Sequence, residues 1–205
     1  MYQNTLCKII HDMEKVFMCG SGSGFGLELA KQFKNHNHDV ILNSRKPNSD
    51  FENFIKDMAN ITVEDFNTYK PDIIVNNGFD KKDYFHSFEA SINIVQKSLD
   101  YFSHSKKGTL VNINSFYGLH PDSKDPNYAA AKYGLRGYVE SVEQKAFENN
   151  IKIINLYPRA IAIGLNEGRE DIDELIDPVE LCTFIVKNIS YNSFYLSHVQ
   201  IDRVN

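Results

Sequence analysis

Short apolar runs that are rich in Val and Ile recur along this chain and alternate with segments of helical periodicity. The hydrophobicity of these runs is continuous rather than alternating, which indicates strands that are covered on both faces, as in a parallel sheet. The predicted strands cover residues 15–19, 39–42, 72–75, 109–113, 152–156 and 194–201.

The segments between these strands carry apolar residues at helical spacing. Phe25, Leu29 and Phe33 follow one another every four residues, and residues 92–102 and 128–147 each carry one apolar stripe. Such stripes are typical of helices packed on a sheet. The alternation therefore predicts the α/β fold class: a doubly wound parallel sheet flanked by helices, a three-layer sandwich that binds ligands at the carboxyl ends of its strands.

One connection is too short for the usual crossover. Arg45 and Asp57 enclose barely enough residues for the roughly ten to twelve that a helical crossover between parallel strands requires. We therefore expect the helix there to be lost, or to be reduced to about one turn at residues 50–54.

The bulk composition limits the class of protein. The chain of 205 residues contains no internal repeat or linker and predicts a single domain over residues 1–205. A net charge of -5 without long Lys or Arg runs argues against nucleic acid as a partner. No apolar run approaches the ~18 residues of a membrane span, and the start does not resemble a signal peptide. The scattered cysteines fit a reducing compartment, so we expect a cytoplasmic protein. His36 and His38 lie in a polar, Asn-rich stretch without a Cys neighbour, and no metal is expected.

A glycine-rich run over residues 20–26 connects the first predicted strand to the first predicted helix. Bare backbone at such a place lets phosphate oxygens approach N–H groups at the positive end of the helix. A tight turn without a ligand is the alternative, but the strand before the run and the helix after it favour a nucleotide. The expected contacts are Gly20, Ser21, Ser23, Gly24, Phe25 and Gly26.

Farther along, Ser115, Tyr128 and Lys132 are residue types that can move a proton. Hydride reduction of a carbonyl leaves an alkoxide that must take up a proton, and a phenol with a pKa near ~10 is a slow donor at neutral pH. Lys132 lies one helical turn after Tyr128, so its ammonium can stabilise the phenolate and lower that pKa. Ser115 would donate a hydrogen bond to the substrate oxygen. Alternatively, Tyr128 and Lys132 are an exposed helix pair and Ser115 is a turn residue.

Taken together, these motifs resemble the short-chain dehydrogenase/reductase family. In chain order the resemblance rests on Gly20-x-x-x-Gly24-x-Gly26, Val75-Asn76-Asn77-Gly78, Asn112-Ile113-Asn114-Ser115, Tyr128-x-x-x-Lys132, Pro158 and Asp177-Pro178-Val179-Glu180. It implies a Rossmann-like dinucleotide-binding domain with a nicotinamide cofactor. It also implies that Ser115, Tyr128 and Lys132 are catalytic, and that Tyr128 and Lys132 contact the cofactor. The family's fourth catalytic residue, an Asn, would be Asn93, although a gapless alignment places Phe88 nearer that position.

The resemblance also indicates which dinucleotide the chain binds. The second predicted strand ends in Leu42-Asn43-Ser44-Arg45, without the carboxylate that would accept both hydroxyls of an NAD ribose. Ser44 and Arg45 instead offer a place for a 2′-phosphate, so we expect NADP, with NAD as the alternative. The remaining expected cofactor contacts are Asp57 and Met58 at the adenine edge, Asn77 and Gly78 on the adenosine side, and Pro158 and Ile161.

Three positions depart from the family pattern. Phe79 closes the Asn-Asn-Gly-Phe segment and would add bulk near the adenosine ribose, Arg159 stands where Gly usually follows Pro158, and Ile163 replaces a Thr that often binds the carboxamide. Arg159 either alters nicotinamide binding, contacts an anionic substrate or is a surface residue. The candidate substrate-lining residues are Phe116, Tyr117, His120 and Leu165.

The sequence thus predicts an NADP(H)-dependent oxidoreductase that interconverts an alcohol and a carbonyl on a small or exposed polar molecule. A nucleotide-sensing or scaffold protein without turnover is the alternative, against which the complete Ser-Tyr-Lys set speaks. A lyase or epimerase is disfavoured by the short segment after Pro158. By resemblance we expect a homodimer or homotetramer, with the helices of Asn93 and Tyr128 at the interface, and we expect neither a membrane nor nucleic acid as a partner.

Overall fold

A fully parallel sheet forms the centre of the structure, a computed structural model that describes residues 13–80, 82–120, 124–163, 166, 168–189 and 195–204. Within these residues the strands are β1 (Lys15–Cys19), β2 (Asp39–Ser44), β3 (Glu52–Ile55), β4 (Ile73–Asn76), β5 (Gly108–Ile113), β6 (Ile151–Pro158) and β7 (His198–Ile201). Their spatial order is β3-β2-β1-β4-β5-β6-β7. The chain winds outward in both directions from β1 and β4, and such a reversal opens a crevice at the carboxyl ends of those strands.

Helices cover both faces of the sheet. One face carries α1 (Gly24–Asn35) and α5 (Pro178–Asn188), and the other carries α2 (Val63–Tyr69), α3 (Tyr84–Ser105) and α4 (Pro126–Glu148).

The alternation of side chains along β1 explains the continuous apolar runs. Val16 and Met18 pack in the core beneath α1 and α5, whereas Phe17 and Cys19 pack in the core on the opposite face. All four residues are fully buried. Neighbouring residues of a strand point to opposite faces, and here both faces are core. The predicted fold class is therefore confirmed.

The connection between β2 and β3 decides between the two predicted alternatives. The helix is lost as expected, but residues 50–54 form no helical turn, because β3 pairs in parallel with β2 and places Glu52 opposite Ile41. The side chain of Asn53 holds the connection by donating to the carbonyl of Asn48 and accepting from its N–H, each at 2.7 Å. Phe54 anchors the strand, since its ring packs edge-on against Phe17 with 5.5 Å between the centroids.

The final strand is also shorter than predicted. β7 begins at His198, and Phe194, with which the predicted strand starts, lies outside the described residues. Across the part of the chain that the structure describes, none of the helices combines the length and the apolar character needed to cross a bilayer.

A row of asparagines aligns the carboxyl ends of three neighbouring strands. Asn76, Asn112 and Asn155 are register partners in β4, β5 and β6. Asn76 Nδ2 donates to Asn112 Oδ1 at 2.9 Å, and Asn112 Nδ2 donates to Asn155 Oδ1 at 2.6 Å. The three side chains are buried, and a shift of one strand would leave their polar groups without partners, at a cost of about 1–3 kcal/mol each. The row therefore fixes the strand ends from which the site residues follow.

An aspartate determines where α4 begins. Asp125 Oδ1 accepts a hydrogen bond from the N–H of Tyr128 at 3.1 Å, and Pro126 takes the first helical position. Both features are typical of helix starts. The cap places Tyr128 in the first turn of α4, where the helix meets the carboxyl edge of the sheet.

Candidate active site

A cleft of about 810 Å³ opens at the carboxyl ends of β1, β4, β5 and β6. This edge is where doubly wound sheets bind their ligands. The predicted site residues that line the cleft are Gly20, Ser23, Gly24, Phe25, Gly26, Asn77, Ser115, Tyr128, Lys132, Pro158 and Ile161.

The turn after β1 accepts only glycine at two of its positions. Gly20 has a φ of +64°, and a Cβ on this residue would lie 2.3 Å from the Cα of Gly78. A Cβ on Gly26 would lie 2.3 Å from Nδ2 of Asn77. The turn therefore packs backbone to backbone on the loop after β4, and Asn77 Nδ2 secures this contact by donating to the carbonyl of Gly20 at 3.3 Å.

The start of α1 provides a place for an anion. Ser23 occupies the N-cap position in extended conformation, and its side chain caps none of the first N–H groups of α1. Ser23, Gly24 and Phe25 line the cleft. Uncapped N–H groups at the positive end of a helix dipole are the usual binding site of a phosphate, so this part of the cleft fits the pyrophosphate of a dinucleotide.

Ser115, Tyr128 and Lys132 come together in the same cleft. Ser115 follows β5, where its Oγ accepts the N–H of Tyr117 at 3.2 Å, and its side chain also hydrogen-bonds that of Tyr128. Lys132 lies one turn after Tyr128 on α4. Its Nζ donates to the carbonyl oxygen of Ile113 at 3.4 Å. The end of β5 and the first turns of α4 thus carry the three predicted catalytic side chains.

Burial favours the neutral forms of Tyr128 and Lys132, because it raises the pKa of the phenol and lowers the pKa of the ammonium. Burial raises the pKa of the Tyr128 phenol, and the hydrogen bond with Ser115 opposes this rise. Burial lowers the pKa of Lys132 from 10.5 to about 7. We expected Lys132 to lower the pKa of Tyr128, but the ammonium bonds to Ile113 and lies 5.8 Å from the centroid of the Tyr128 ring. In this arrangement the desolvation of the phenol therefore dominates.

Phe79 packs on both catalytic candidates. The centroid of its ring lies 4.3 Å from Nζ of Lys132 and 5.1 Å from the centroid of the Tyr128 ring. It also stacks on Tyr84, whose hydroxyl donates to Asp125 at 2.6 Å. We predicted bulk near an adenosine ribose, but the aromatic ring instead reaches the ammonium, where a cation–π contact is favourable.

Comparison with known protein families finds one family profile that matches the part of the chain carrying these residues. The family profile described as short chain dehydrogenase matches residues 81–172, a stretch that includes Ser115, Tyr128 and Lys132. The match covers somewhat less than half of the chain, and it makes this part of the chain similar to the short-chain dehydrogenase/reductase family.

Individual relatives are distant. The chain is 31% identical over 67 residues to the 3-oxoacyl-[acyl-carrier-protein] reductase FabG of Chlamydia muridarum, which is 33% of this chain and only 27% of that protein. It is 23% identical over 184 residues to a 3-ketodihydrosphingosine reductase of Bacteroides thetaiotaomicron, covering 78% of this chain and 68% of that protein. A short chain dehydrogenase from Burkholderia cenocepacia, solved in complex with NADP, has the same fold, with a TM-score of 0.78 at 13% identity over 93% of this chain and 89% of that one.

Asn93 does not complete the family's catalytic set in this chain. It is absent from the residues that line the cleft. Its Nδ2 donates to the carbonyls of Ala59 and Ile61 at 3.3 and 3.1 Å, which ties α3 to the 3₁₀ turn Met58–Asn60. Phe88 offers no amide either, and packs against Gly134 of α4. The expectation of a catalytic Asn93 is thus corrected, because its amide is engaged elsewhere.

Two serines that were expected at the dinucleotide are buried beside the cleft. The N–H of Ser21 donates to the carbonyl of Asn43 at 3.0 Å, and its Oγ donates to the carbonyl of Cys19 at 3.2 Å. Ser44 Oγ donates to the carbonyl of Lys46. Both hydroxyls therefore shape the turns around the cleft, which corrects their predicted role as ligands.

Apart from Asn77, the expected adenosine contacts are not among the residues that line the cleft. Asp57 Oδ1 caps the 3₁₀ turn by accepting the N–H of Ala59 at 2.9 Å. Met58 packs behind the glycine contact, since its Sδ would lie 2.7 Å from a Cβ on Gly78. Arg45 keeps an exposed guanidinium, with Nη1 3.7 Å from Oδ2 of Asp80. Met58 and Gly78 therefore support the glycine turn after β1. Arg45 supplies a positive charge at the expected adenosine end of the site.

The substrate end matches the family expectation only in part. Phe116, Tyr117 and Ile163 line the cleft. His120 does not, because its ring stacks on Phe116 at 4.2 Å and its Nε2 lies 3.2 Å from Oε1 of Gln200. Leu165, the fourth candidate, lies outside the described residues.

Several residues that line the cleft were not foreseen. They are Asp125, Asn166, Arg169, Asp171, Leu175 and Arg203, together with Arg159, for which three roles were open. Asp125 could have been found, because an Asp before Pro is a helix-start signal. No local pattern marks Arg169 or Arg203. Among the described residues, no three His, Cys, Asp or Glu side chains are arranged to hold a metal ion.

Proposed function

We propose that the protein is an NADP(H)-dependent oxidoreductase that interconverts an alcohol and a carbonyl on a small or exposed polar substrate. The observation that carries this proposal is that Ser115, Tyr128 and Lys132 line one cleft with the glycine turn and the uncapped start of α1. A proton donor and a phosphate site in one cleft are what hydride transfer to a carbonyl requires.

Each catalytic residue has a role that its position supports. When bound, the nicotinamide supplies the hydride that adds to the carbonyl carbon. The Tyr128 hydroxyl donates its proton to the carbonyl oxygen, which yields the alcohol and leaves a phenolate. Ser115 donates a hydrogen bond to the same oxygen, and Lys132, in its charged form, stabilises the phenolate. Burial raises the pKa of Tyr128, which keeps the proton on the phenol but makes it a weaker donor, so the positive charge of Lys132 is needed to offset this rise.

NADP is the proposed cofactor because of the charge after β2. Arg45 follows β2 directly, at the position where a carboxylate would favour NAD. Its ion pair with Asp80 is long, at 3.7 Å, and the Arg45 side chain is 77% exposed. An exposed pair of this kind contributes at most about 1 kcal/mol, so a 2′-phosphate can replace Asp80 as its partner.

The test separates cofactor binding from turnover. NADPH and NADH are titrated by fluorescence, and a set of carbonyl compounds is then screened with the preferred cofactor. Tyr128→Phe is expected to bind NADPH as the wild type does and to lose roughly 10²- to 10⁴-fold in reduction rate. Tyr133→Phe is the matched control, because the Tyr133 hydroxyl donates to the carbonyl of Leu119 at 2.6 Å and does not line the cleft. Full activity of Tyr128→Phe, or the absence of NADPH binding to the wild type, would contradict the proposal.

A second candidate is a nucleotide-sensing or scaffold protein that binds the dinucleotide without turnover. The observation that favours it is the Phe79 ring over the Lys132 ammonium at 4.3 Å, since this ring crowds the catalytic residues. NADPH binding without reduction of any carbonyl compound, by both the wild type and Phe79→Ala, would favour this alternative.

We also propose self-association as a homodimer or homotetramer through α3 and α4. This proposal follows the resemblance to the family, and Phe85 at the start of α3, which is 60% exposed, would be covered in such an assembly. Light scattering tests this directly, and a mass of 23.5 kDa at every concentration would exclude it.

A further inference from the structure

Three arginines line the end of the cleft next to Pro158, as far as the described residues show. Arg159 follows β6 and Arg203 follows β7, and these strands are neighbours, with Pro158 opposite Ile201. Arg169 comes from the segment between β6 and α5. Its hydrogen bond lowers the pKa of Asp171, and the charge of Arg203 adds a smaller effect in the same direction. Residues far apart in the chain thus place positive charge at one end of the cleft.

The acidic partners of two of these arginines stand outside the cleft. Arg159 Nε lies 2.5 Å from Oδ1 of Asp202, and Arg203 Nη1 lies 3.6 Å from Oε2 of Glu174. Asp202 and Glu174 are not among the lining residues, whereas both arginines are. Both arginines therefore contribute to the wall of the cleft, whereas their acidic partners do not.

Arg169 contributes less to this charge. Its Nε and Nη2 form a two-bond ion pair with Asp171, at 2.7 and 2.6 Å, and Asp171 also lines the cleft. Arg169 and Asp171 thus neutralise each other locally. Arg159 and Arg203 are the arginines whose charge is available to a bound molecule.

Two contacts fix the guanidinium of Arg159 and leave some of its N–H groups for a ligand. Its Cζ lies 3.8 Å from the centroid of the Phe116 ring, and its Nε is fixed by Asp202. A guanidinium carries five N–H donors in a planar fork that matches a carboxylate or a phosphate, so donors remain beyond Nε. The side chain is 41% exposed, so a small molecule can reach the fork.

The position of Arg159 relates it to the reacting carbonyl. Phe116, on which the guanidinium stacks, directly follows Ser115 in the chain, and consecutive Cα atoms are about 3.8 Å apart. Arg159 thus packs on the neighbour of Ser115, and both residues line the cleft, so an anionic group that extends from the carbonyl past Phe116 would reach the guanidinium.

We propose that this end of the cleft binds an anionic group of the substrate, a carboxylate or a phosphate, with Arg159 as the main ligand and Arg203 in support. This inference rests on the proposed reductase function and names its substrate class. The competing explanation is structural, in which Arg159 serves only to hold Asp202 at the end of β7.

The experiment uses paired probes that differ in charge. With NADPH, reduction of dihydroxyacetone phosphate is compared with that of dihydroxyacetone, and reduction of 4-oxopentanoate with that of its methyl ester. We expect kcat/KM to favour the charged member of at least one pair by about 10- to 100-fold, and the pair that responds identifies phosphate or carboxylate. Arg159→Gln should remove most of this preference. Asp202→Asn is the matched variant, because it breaks the same ion pair but keeps the cation, and it should retain the preference.

A second readout does not depend on turnover. Dihydroxyacetone phosphate and 4-oxopentanoate should raise the melting temperature of the protein without NADPH, less so in Arg159→Gln than in Asp202→Asn. If carbonyl compounds are reduced without preference for charge, the anionic site is wrong and the reductase function stands. If nothing is reduced but an anion stabilises the wild type and not Arg159→Gln, the site stands and the reductase function fails. Equal losses in Arg159→Gln and Asp202→Asn, or no effect of any anion, would overturn the proposal in favour of a structural Arg159.

Discussion

Replacing Lys132 with Met should stabilise the folded protein while it abolishes turnover. Lys132 is 3% exposed, and burial lowers its pKa from 10.5 to about 7. Each pKa unit corresponds to about 1.4 kcal/mol, so the charged form of Lys132 costs the folded state about 5 kcal/mol below pH 7. The cation–π contact with Phe79 is lost in the variant and offsets about 1 kcal/mol of this gain. Because Met fills a similar space without charge, we expect the free energy of unfolding to rise by about 2–4 kcal/mol near neutral pH.

The stability gain of Lys132→Met should depend on pH in a definite direction. The folded pKa of Lys132 lies below the unfolded one, so the unfolded state binds more protons between these two values and wild-type stability rises with pH in that window. The advantage of Lys132→Met should therefore be full below about pH 7 and should shrink towards pH 10.

Urea unfolding of both proteins at several pH values measures the effect. Lys145→Met on the exposed side of the same helix is the control, with an expected change within about 0.5 kcal/mol. A variant that is less stable than the wild type at neutral pH, or an advantage that does not vary with pH, would refute the reasoning.

Two further predictions concern the dinucleotide. Phe79→Ala should bind NADPH about 2- to 30-fold more tightly. In the wild type the Phe79 ring competes with the cofactor for the Lys132 ammonium through a cation–π contact, which is worth about 0.5–2 kcal/mol. Unchanged or weaker binding in a fluorescence titration would count against this. Gly20→Ala should lose NADPH binding and stability, because its φ is +64° and a Cβ would lie 2.3 Å from the Cα of Gly78. Gly137→Ala on α4, where a Cβ meets nothing within 4 Å, should instead stabilise the protein by about 0.5–1 kcal/mol. Similar melting temperatures for the two glycine variants would show that the close approach at Gly20 is unimportant.

The sheet and the glycine turn could be predicted because their signals are local. Val16, Phe17 and Met18 are all apolar since consecutive side chains enter opposite cores. A glycine such as Gly20 between a strand and a helix marks a backbone that other residues cannot adopt. The spacing of Tyr128 and Lys132 is equally local, because four residues are about one turn of a helix.

The errors arose where the partner of a side chain lies far away in the chain. Asn93 has the residue type that the family uses, yet its amide serves the carbonyls of Ala59 and Ile61, more than 30 residues earlier. The bounds of β3 could not be predicted, because Phe54 is held by Phe17, which belongs to the first strand. In both cases the local sequence allowed more than one conformation, and packing against a distant element selected one of them.

The sequence alone determined the periodicity of burial, and with it the parallel sheet, the bare turn after the first strand and the helix that carries Tyr128 and Lys132. The tertiary structure alone decided that Phe79 covers Lys132, and that Arg159 and Arg203 line one cleft while their ion-pair partners Asp202 and Glu174 do not. The physical reason is that the periodicity of burial depends on residues that are neighbours in the chain. The electrostatics and the desolvation of a site depend instead on which distant side chains the fold places within a few ångströms of one another.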